Sequence, residues 1–397
     1  MAEQVVLGWP ISSLHGWGVY GLNLALQWAG DPDIALATAC ESVGIDIDPQ
    51  QARALAPFIV RSVELQNGLQ KYANGQASVG TTLLSGLNER FLLSPCMHNV
   101  MVMGNPTVGV IFFENEVLPD AVERANTYFP CIVTGSFWNE AVLRACGVKS
   151  VRTVHQGFDP ALFHPGPKST PLPDRFLIFS GGKAEYRKAQ DLVLAAFEIF
   201  SERHPEAVLV TAWYNHWPDG IRSLDWSGLL PSVPLHKTTN QIDVAGWAAA
   251  NGIAADRVLD LGAVPNPKMP AILREMDVAL FPNRAEGGTN LVAMEAMGCG
   301  LPVILSRNTG HVDLISSDNC YPLDDQGPAA RGFAGIDGVP GWGESRIDEI
   351  VARLEQVFTD RAEARRRGQR AAEFMARLTW QETARKMKEI VMELRKA

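Results

Sequence analysis

Short β-like runs alternate along this chain with stretches long enough for helices, and that alternation limits the possible folds more than any other feature. Val5-Val-Leu-Gly-Trp reads as a strand, and Val19 to Trp28 carries apolar residues at helical spacing. Ile34-Ala-Leu-Ala-Thr-Ala, Thr107-Val-Gly-Val-Ile-Phe-Phe and Cys131-Ile-Val-Thr-Gly are further strands, the last leading into an amphipathic stretch from Asn139 to Cys146. Strands separated by helix-length segments pair in parallel, which predicts an α/β fold. The segment His164-Pro-Gly-Pro-Lys-Ser-Thr-Pro-Leu-Pro-Asp174 places four prolines in eleven residues and suits a stiff interdomain linker. The alternation then restarts with strands at Phe176-Leu-Ile-Phe-Ser, Ala207-Val-Leu-Val-Thr-Ala, Val258-Leu-Asp-Leu-Gly, Val278-Ala-Leu-Phe and Pro302-Val-Ile-Leu-Ser, and a helix from Asp191 to Phe200. A chain of 397 residues is also too long for one ordinary core, so two domains are expected.

Charge narrows the function. A net charge of −9 argues against a nucleic-acid partner and against a chain held on an anionic membrane by charge alone. No run approaches the roughly 20 apolar residues that cross a bilayer, and the start has no basic, signal-like region, so the reading is cytoplasmic. Cys40, Cys96, Cys131, Cys146, Cys299 and Cys320 are scattered without a Cys-x-x-Cys pair, as expected of buried reduced thiols. Asp31-Pro-Asp33 follows a helix end and reads as a turn; His164, His204 and His216 lack ligand spacing, so no metal is expected. The charged helical C-terminus, with Arg365-Arg-Arg, reads as a solvated face.

The strongest chemical signal is Phe281-Pro-Asn-Arg-Ala-Glu-Gly-Gly-Thr-Asn-Leu-Val-Ala-Met-Glu-Ala-Met-Gly-Cys-Gly-Leu-Pro-Val-Ile. A strand runs into a two-glycine loop, and a helix starts near Asn290 with Leu291, Val292, Met294 and Met297 as its apolar face. Glycines allow close approach of a ligand, and a helix N-terminus offers unpaired N–H groups, an arrangement suited to a diphosphate. Gly287, Gly288, Thr289, Asn290 and Leu291 are therefore donor-binding candidates, with Glu286 placed for sugar hydroxyls and Glu295 for a ribose diol.

This segment resembles the retaining GT-B glycosyltransferases of family 4, the "glycosyl transferases group 1" domain, whose signature sets seven residues between two glutamates and continues Ala-Met-Ala-x-Gly-x-Pro-Val. Glu295-Ala-Met-Gly-Cys-Gly-Leu-Pro-Val matches the second half, while eight residues separate Glu286 from Glu295. A one-residue bulge at the two glycines would leave Glu286 in the family role. The family's Gly-Arg and following Lys correspond to Lys183 and Lys188 in Phe179-Ser-Gly-Gly-Lys-Ala-Glu-Tyr-Arg-Lys, cations that the resemblance assigns to the donor pyrophosphate. A lysine supplies the charge there without the bidentate fork of arginine. Ser136, Gly157, Asp159, Phe163 and Pro165 match the runs that close the first domain, and their role is architectural.

Ser12-Ser-Leu-His-Gly-Trp-Gly-Val-Tyr-Gly resembles the family's glycine-rich first loop. Gly16 and Gly18 are read as letting the loop approach the leaving phosphate or the acceptor, and His15 is read either as an acceptor-side group or as a hydrogen-bonded loop histidine. Gly16-x-Gly18-x-x-Gly21 also fits a dinucleotide fingerprint, but no acidic residue ends the next strand. Glu114 and Glu116 stand where many members carry a His-Asp pair and are acceptor-side candidates, with a solvent role the alternative; His311 and Asp313 stand near the family's donor-facing acid. The resemblance implies two Rossmann-like doubly wound domains facing across a cleft. They span residues 1–168 for the acceptor and 169–375 for the donor, with a C-terminal helix, 376–397, returning to the first domain. It further implies transfer of a hexose-type sugar from a nucleoside-diphosphate sugar to an acceptor hydroxyl, with retention, no metal and no cofactor. Lys183, Lys188 and Glu286 would be its catalytic residues. An epimerase on the same fold and a non-catalytic nucleotide-sugar-binding module are the alternative readings. The loop from Tyr214 to Thr239 is outside the family pattern.

Overall fold

The computed structural model describes residues 2–115, 117–170, 172, 174–329 and 341–395. The chain forms two compact units, one of Met1–Gly157, Pro265–Pro267 and Leu378–Ala397, the other of Phe158–Val264 and Lys268–Arg377. The division falls after Gly157 rather than at 168. Phe158 and Pro165 already pack in the second unit, where a Cβ on Gly298 would lie 2.6 Å from the Phe158 ring and one on Gly300 would lie 3.1 Å from Pro165.

The first unit runs β1 (Glu3–Leu7), α1 (Gly16–Trp28), β2 (Ile34–Thr38), α2 (Pro49–Leu69), β3 (Gln76–Ser78), β4 (Thr82–Gly86), β5 (Met101–Met103), β6 (Thr107–Ile111), α3 (Pro119–Tyr128), β7 (Ile132–Thr134), α4 (Phe137–Ala145) and β8 (Val151–Thr153). Its main sheet has the order β2-β1-β4-β6-β7-β8, parallel throughout, and β3 pairs separately with β5. β6 and β7 are buried along their whole length, as continuous apolar runs in a parallel sheet must be. α2 has no counterpart in the periodicity reading, yet its start is written in the sequence. Asp48 and Gln51 form a reciprocal capping box, and Pro49 occupies the first turn. Ser136 caps α4 by accepting from Asn139 N at 3.2 Å.

The second unit runs β9 (Phe176–Lys183), α5 (Gln190–Arg203), β10 (Ala207–Tyr214), α6 (Val244–Ala250), β11 (Val258–Asp260), α7 (Met269–Leu273), β12 (Val278–Phe281), α8 (Leu291–Gly298), β13 (Val303–Ser306), β14 (Tyr321–Leu323), β15 (Gln326–Gly327), β16 (Glu344–Ser345), α9 (Ile347–Thr359) and α10 (Arg361–Met375). Its parallel sheet has the order β11-β10-β9-β12-β13-β14. α5, α6 and α9 share one core with this sheet, built on Phe197, Phe200, Trp213, Trp247, Ile350 and Leu354. In both sheets the chain moves outward in one direction and then returns to build in the other, the doubly wound pattern of Rossmann-like folds.

The last helix, α11 (Trp380–Leu394), belongs to the first unit. Trp380 stacks on Tyr20 with centroids 5.7 Å apart, and Thr383 Oγ1 donates to His155 O at 2.9 Å. Lys388 bonds both carboxylates of Asp31-Pro-Asp33, at 2.7 and 2.8 Å, while Asp33 N closes the turn on Asp31 Oδ1. Four of the six thiols are buried as anticipated; Cys96 is half-buried and Cys146 is exposed. Among the described residues no helix is long and apolar enough to cross a membrane.

Candidate functional site

In a doubly wound sheet, ligands bind beyond the carboxyl ends of the strands where the direction of building reverses. In the second unit this point lies between β9 and β12, so the segments leaving Lys183 and Phe281 meet there. Gly182, next to last in β9, has φ +131, a conformation open to glycine and strained for other residues. A short turn at Tyr186–Lys188 follows, and Ala189 enters α5 in the left-handed region at φ 58.

The two segments are joined by charge. Glu286, 4% exposed, receives Lys188 Nζ at 2.5 Å on Oε1 and Arg187 Nη1 at 3.1 Å on Oε2. Asn283 Nδ2 also donates to Oε1. Arg187 Nε reaches Glu185 at 2.7 Å, and Glu185 in turn pairs with Lys183 Nζ at 2.8 Å. Three cations and two buried carboxylates thus alternate from Lys183 to Lys188. Burial opposes ionisation of Glu286, but Lys188 and then Arg187 outweigh it and hold the carboxyl down at about 2. Burial likewise works against the Glu185 carboxylate, and Arg187 and Lys183 overcome it, leaving its pKa below the ordinary value. For Lys188 burial prevails over Glu286, and the ammonium lies below the usual lysine range.

Sequence reasoning found Lys183, Lys188 and Glu286 but not their pattern. Both Glu286 oxygens are engaged by the cations and Asn283, which makes it the counter-ion of Arg187 and Lys188. Arg187 and Glu185 were passed over although they lie inside the segment singled out. Lys183 also sits 5.1 Å above the ring of Trp217, which is 55% exposed and comes from the loop outside the family pattern.

The loop after β12 is fixed by buried polar groups. Arg284, fully buried, forms a two-point ion pair with Asp191 of α5 at 2.9 and 2.8 Å. It also donates to Tyr186 O and Glu344, and its guanidinium lies 4.1 Å over the Tyr186 ring. The backbone of Glu286 is held on both sides, its N–H donating to Thr309 Oγ1 at 2.8 Å and its carbonyl accepting from Gly310 N at 3.0 Å.

The two glycines between Glu286 and Glu295, Gly287 and Gly288, where a bulge was anticipated, carry no positive φ. The left-handed residue of the loop is Asn290, at φ 66. Asparagine tolerates that region better than most residues. As cap of α8, Asn290 accepts from Ala293 N and donates from Nδ2 to His311 Nε2 at 3.1 Å. Ser306 spends its hydroxyl proton on Asn283 O, so at the 3.0 Å contact it accepts from His311 Nδ1. His311 is therefore a neutral Nδ1–H tautomer that ties the cap to β13, not a donor-facing group. Burial is the largest cause of its pKa falling to about 4, against the attraction of Glu286. Asp313 lies half-buried in the same turn. Thr289 Oγ1 is bonded to Met294 Sδ at 2.9 Å; Glu295 is buried in α8, and Leu291 and Val292 are half-buried rather than core.

Other predicted residues belong to the first unit. His15 caps α1, its Nδ1 accepting from Gly18 N at 3.0 Å. Gly16 opens that helix, and Gly18 is buried; a Cβ on it would lie 2.3 Å from Ser12 Cβ, so this glycine admits the protein's own loop. Glu114 lies half-buried just past β6, and Glu116 lies outside the described residues. Asp159, by contrast, lies in the second unit and caps a turn by accepting from Ala161 N at 2.9 Å.

Residues 266–387 match the model of a family described as Family 4 Glycosyltransferase in conflict systems, a span that includes the whole Glu286–Glu295 segment. A curated relative, D-inositol 3-phosphate glycosyltransferase 2 of Catenulispora acidiphila, is 27% identical over 216 residues, covering 51% of this chain and 46% of that one. The chain thus spans about half the length of the curated relative it matches. Sucrose-phosphate synthase from Thermosynechococcus elongatus superposes with a TM-score of 0.62 at 15% identity, over 99% of each chain. The Anabaena protein HepE, solved in complex with UDP-glucose, gives 0.61 at 12% identity over 98% of this chain and 99% of that one. The fold is GT-B, and the family match and the relative agree with the motifs on family 4.

Proposed function

We propose that this chain, family 4 in its motifs and GT-B in its fold, is a retaining, metal-independent glycosyltransferase. It moves a hexose-type sugar from a nucleoside-diphosphate sugar to an acceptor hydroxyl. The observation that carries this reading is the cluster of Lys183, Arg187 and Lys188 at the reversal point of the second sheet, with Glu286 holding two of the three cations in place. Cations fixed before the reaction stabilise the charge that develops on a departing diphosphate, because they need no reorganisation as it forms. The start of α8 adds backbone N–H groups to the same end of the sheet. Similarity to a glycosyltransferase and to HepE, a protein solved with UDP-glucose, supports a nucleotide-sugar donor. Among the described residues no side chain stands out as a general base, and in the front-face route the leaving phosphate takes the acceptor's proton.

A thermal-shift screen over UDP-, GDP-, ADP- and TDP-sugars tests the donor, since a ligand that binds only the folded state raises its midpoint. The expected outcome is stabilisation by one base class, with transfer or slow donor hydrolysis unaffected by EDTA. Lys188→Ala is expected to lower turnover about 10²–10³-fold. Unchanged donor binding and turnover in that variant would remove the diphosphate assignment, and loss of transfer in EDTA would remove metal independence.

A further inference from the structure

Cys40 and Cys96 stand far apart in the chain, yet the first unit brings their backbones together. The peptide group that follows Cys96 donates from Met97 N to Ala39 O, in the peptide group that precedes Cys40, at 3.0 Å. Cys96 also packs against the small core that holds Val6, Ala39 and Leu83. Further bonds fix each backbone. Gln66 Nε2 reaches Cys40 O from α2 at 2.9 Å, and Cys40 N donates to Thr38 Oγ1 at 3.1 Å. Cys96 N donates to Val100 O at 2.9 Å. Held in this way, the two thiols are in hydrogen-bonding contact with one another.

The pair is asymmetric. Cys40 is buried, whereas Cys96 is half-buried and open in part to solvent. Their contact, and then burial, pushes the Cys40 thiol up; the same contact holds Cys96 below the ordinary thiol value although burial opposes it. Cys96 is therefore the thiolate and Cys40 the S–H that donates to it. Thiols that ionise easily, meet solvent and have a second cysteine beside them are the ones that react with oxidants. Burial raises Cys131, Cys299 and Cys320, which makes them inert.

We propose that Cys40 and Cys96 are a redox-active pair that closes to an intramolecular disulfide on meeting a small disulfide oxidant. The Cys96 thiolate attacks one sulfur of the oxidant, and the other sulfur leaves as a thiolate that takes up a proton. Cys40 then gives up its proton and displaces the half still bound to Cys96, which leaves as a second thiol. Two protein thiols lose two hydrogens, and one disulfide becomes two thiols. The ring so closed runs from Cys40 to Cys96 through α2, β3 and β4, and it pins the segment after β2 to the segment before β5. Such a link restrains the unfolded chain while the folded backbone stays where it is.

The test is thiol mapping on the full, folded chain, first reduced and then exposed to glutathione disulfide. After unfolding in maleimide, Cys40 and Cys96 should escape modification while Cys131, Cys299 and Cys320 take it up. Digestion without reductant should yield one peptide pair joined through Cys40 and Cys96, and reductant should separate it. Cys96→Ser and Cys40→Ser should each lose the link, whereas Cys146→Ser, which removes the exposed thiol, should keep it. Should the buried Cys40→Ser not fold, Cys96→Ser decides alone. The linked chain should melt about 5 °C higher than the reduced one. Full modification of both cysteines, a glutathione adduct on Cys96 that goes no further, joining of a different pair, or a midpoint that does not rise overturns the proposal.

Discussion

Arg284 and Asp191 meet in a two-point ion pair with both side chains essentially withdrawn from solvent, and the pair locks the loop after β12 to the first turn of α5. Removing one partner leaves the other charge buried and uncompensated, which costs more than the pair contributes. Arg284→Met is expected to destabilise the fold by about 3–5 kcal/mol. Adding Asp191→Leu should recover much of that loss, since an apolar pair replaces an orphaned charge. Urea denaturation of the single and double variants checks this, and a double variant no more stable than the single would contradict it.

Two groups of the loop give stability the same dependence on pH. The folded pKa of Glu286, about 2, lies below its ordinary 4.5, so its contribution is complete above about 4.5 and is lost as pH falls towards 2. The folded value of His311, about 4, lies below its ordinary 6.5, so the unfolded chain takes up its proton first and stability falls from pH 6.5 to about 4. On the order of 3 kcal/mol is at stake over the histidine's window. His311→Gln should flatten the slope between pH 6.5 and 4 while leaving the steeper loss below 4.5. Urea midpoints measured across pH decide it; an unchanged upper slope rules His311 out as its source.

Ala189 occupies the left-handed region at φ 58, immediately after Lys188. A Cβ in that region costs about 1–2 kcal/mol, part of which a glycine returns through the greater freedom of its unfolded chain. Ala189→Gly should therefore raise stability by about 0.5–1 kcal/mol. A fall in the melting midpoint would show that the alanine packs well enough to outweigh its strain.

Gly310 touches the backbone that carries the glutamate. A Cβ there would stand 1.7 Å from Gly288 O and 2.8 Å from Glu286 O, and no side-chain motion relieves a clash with backbone. Gly310→Ala must displace the 286–288 loop, at about 1–3 kcal/mol. It should also abolish stabilisation by nucleotide while α-helical circular dichroism persists. Retained nucleotide binding would mean that the loop can move without consequence for the site.

The strands, the helix at Leu291 and the lysines were legible because each depends on local pattern: apolar periodicity, a glycine-rich turn, cations at fixed spacing. Part of what the sequence did not disclose depends on contacts across 90 or more positions. Nothing local to Pro-Asn-Arg-Ala-Glu says that Arg284 will be swallowed by Asp191 or that Arg187 will take one oxygen of Glu286. Asn290 holds the positive φ of this loop while its side chain caps α8 and bonds His311 at once, two contacts a glycine cannot make. His311 itself looked available for chemistry only because its two partners, Asn290 and Ser306, lie in different elements.

One last consequence follows from Gly157. A Cβ on this residue would lie 2.2 Å from Trp380 N and 2.3 Å from the Thr379 carbonyl carbon, so the chain leaves the first unit at Gly157 and re-enters it against the same backbone. The first unit's segments ending at Gly157 and beginning at Leu378 thus meet at one spot. A linker of a few residues would be enough to join 157 to 379. Met1–Gly157 and Leu378–Ala397, far apart in the sequence, thus build one globule in which Gly157 is a point of closest approach.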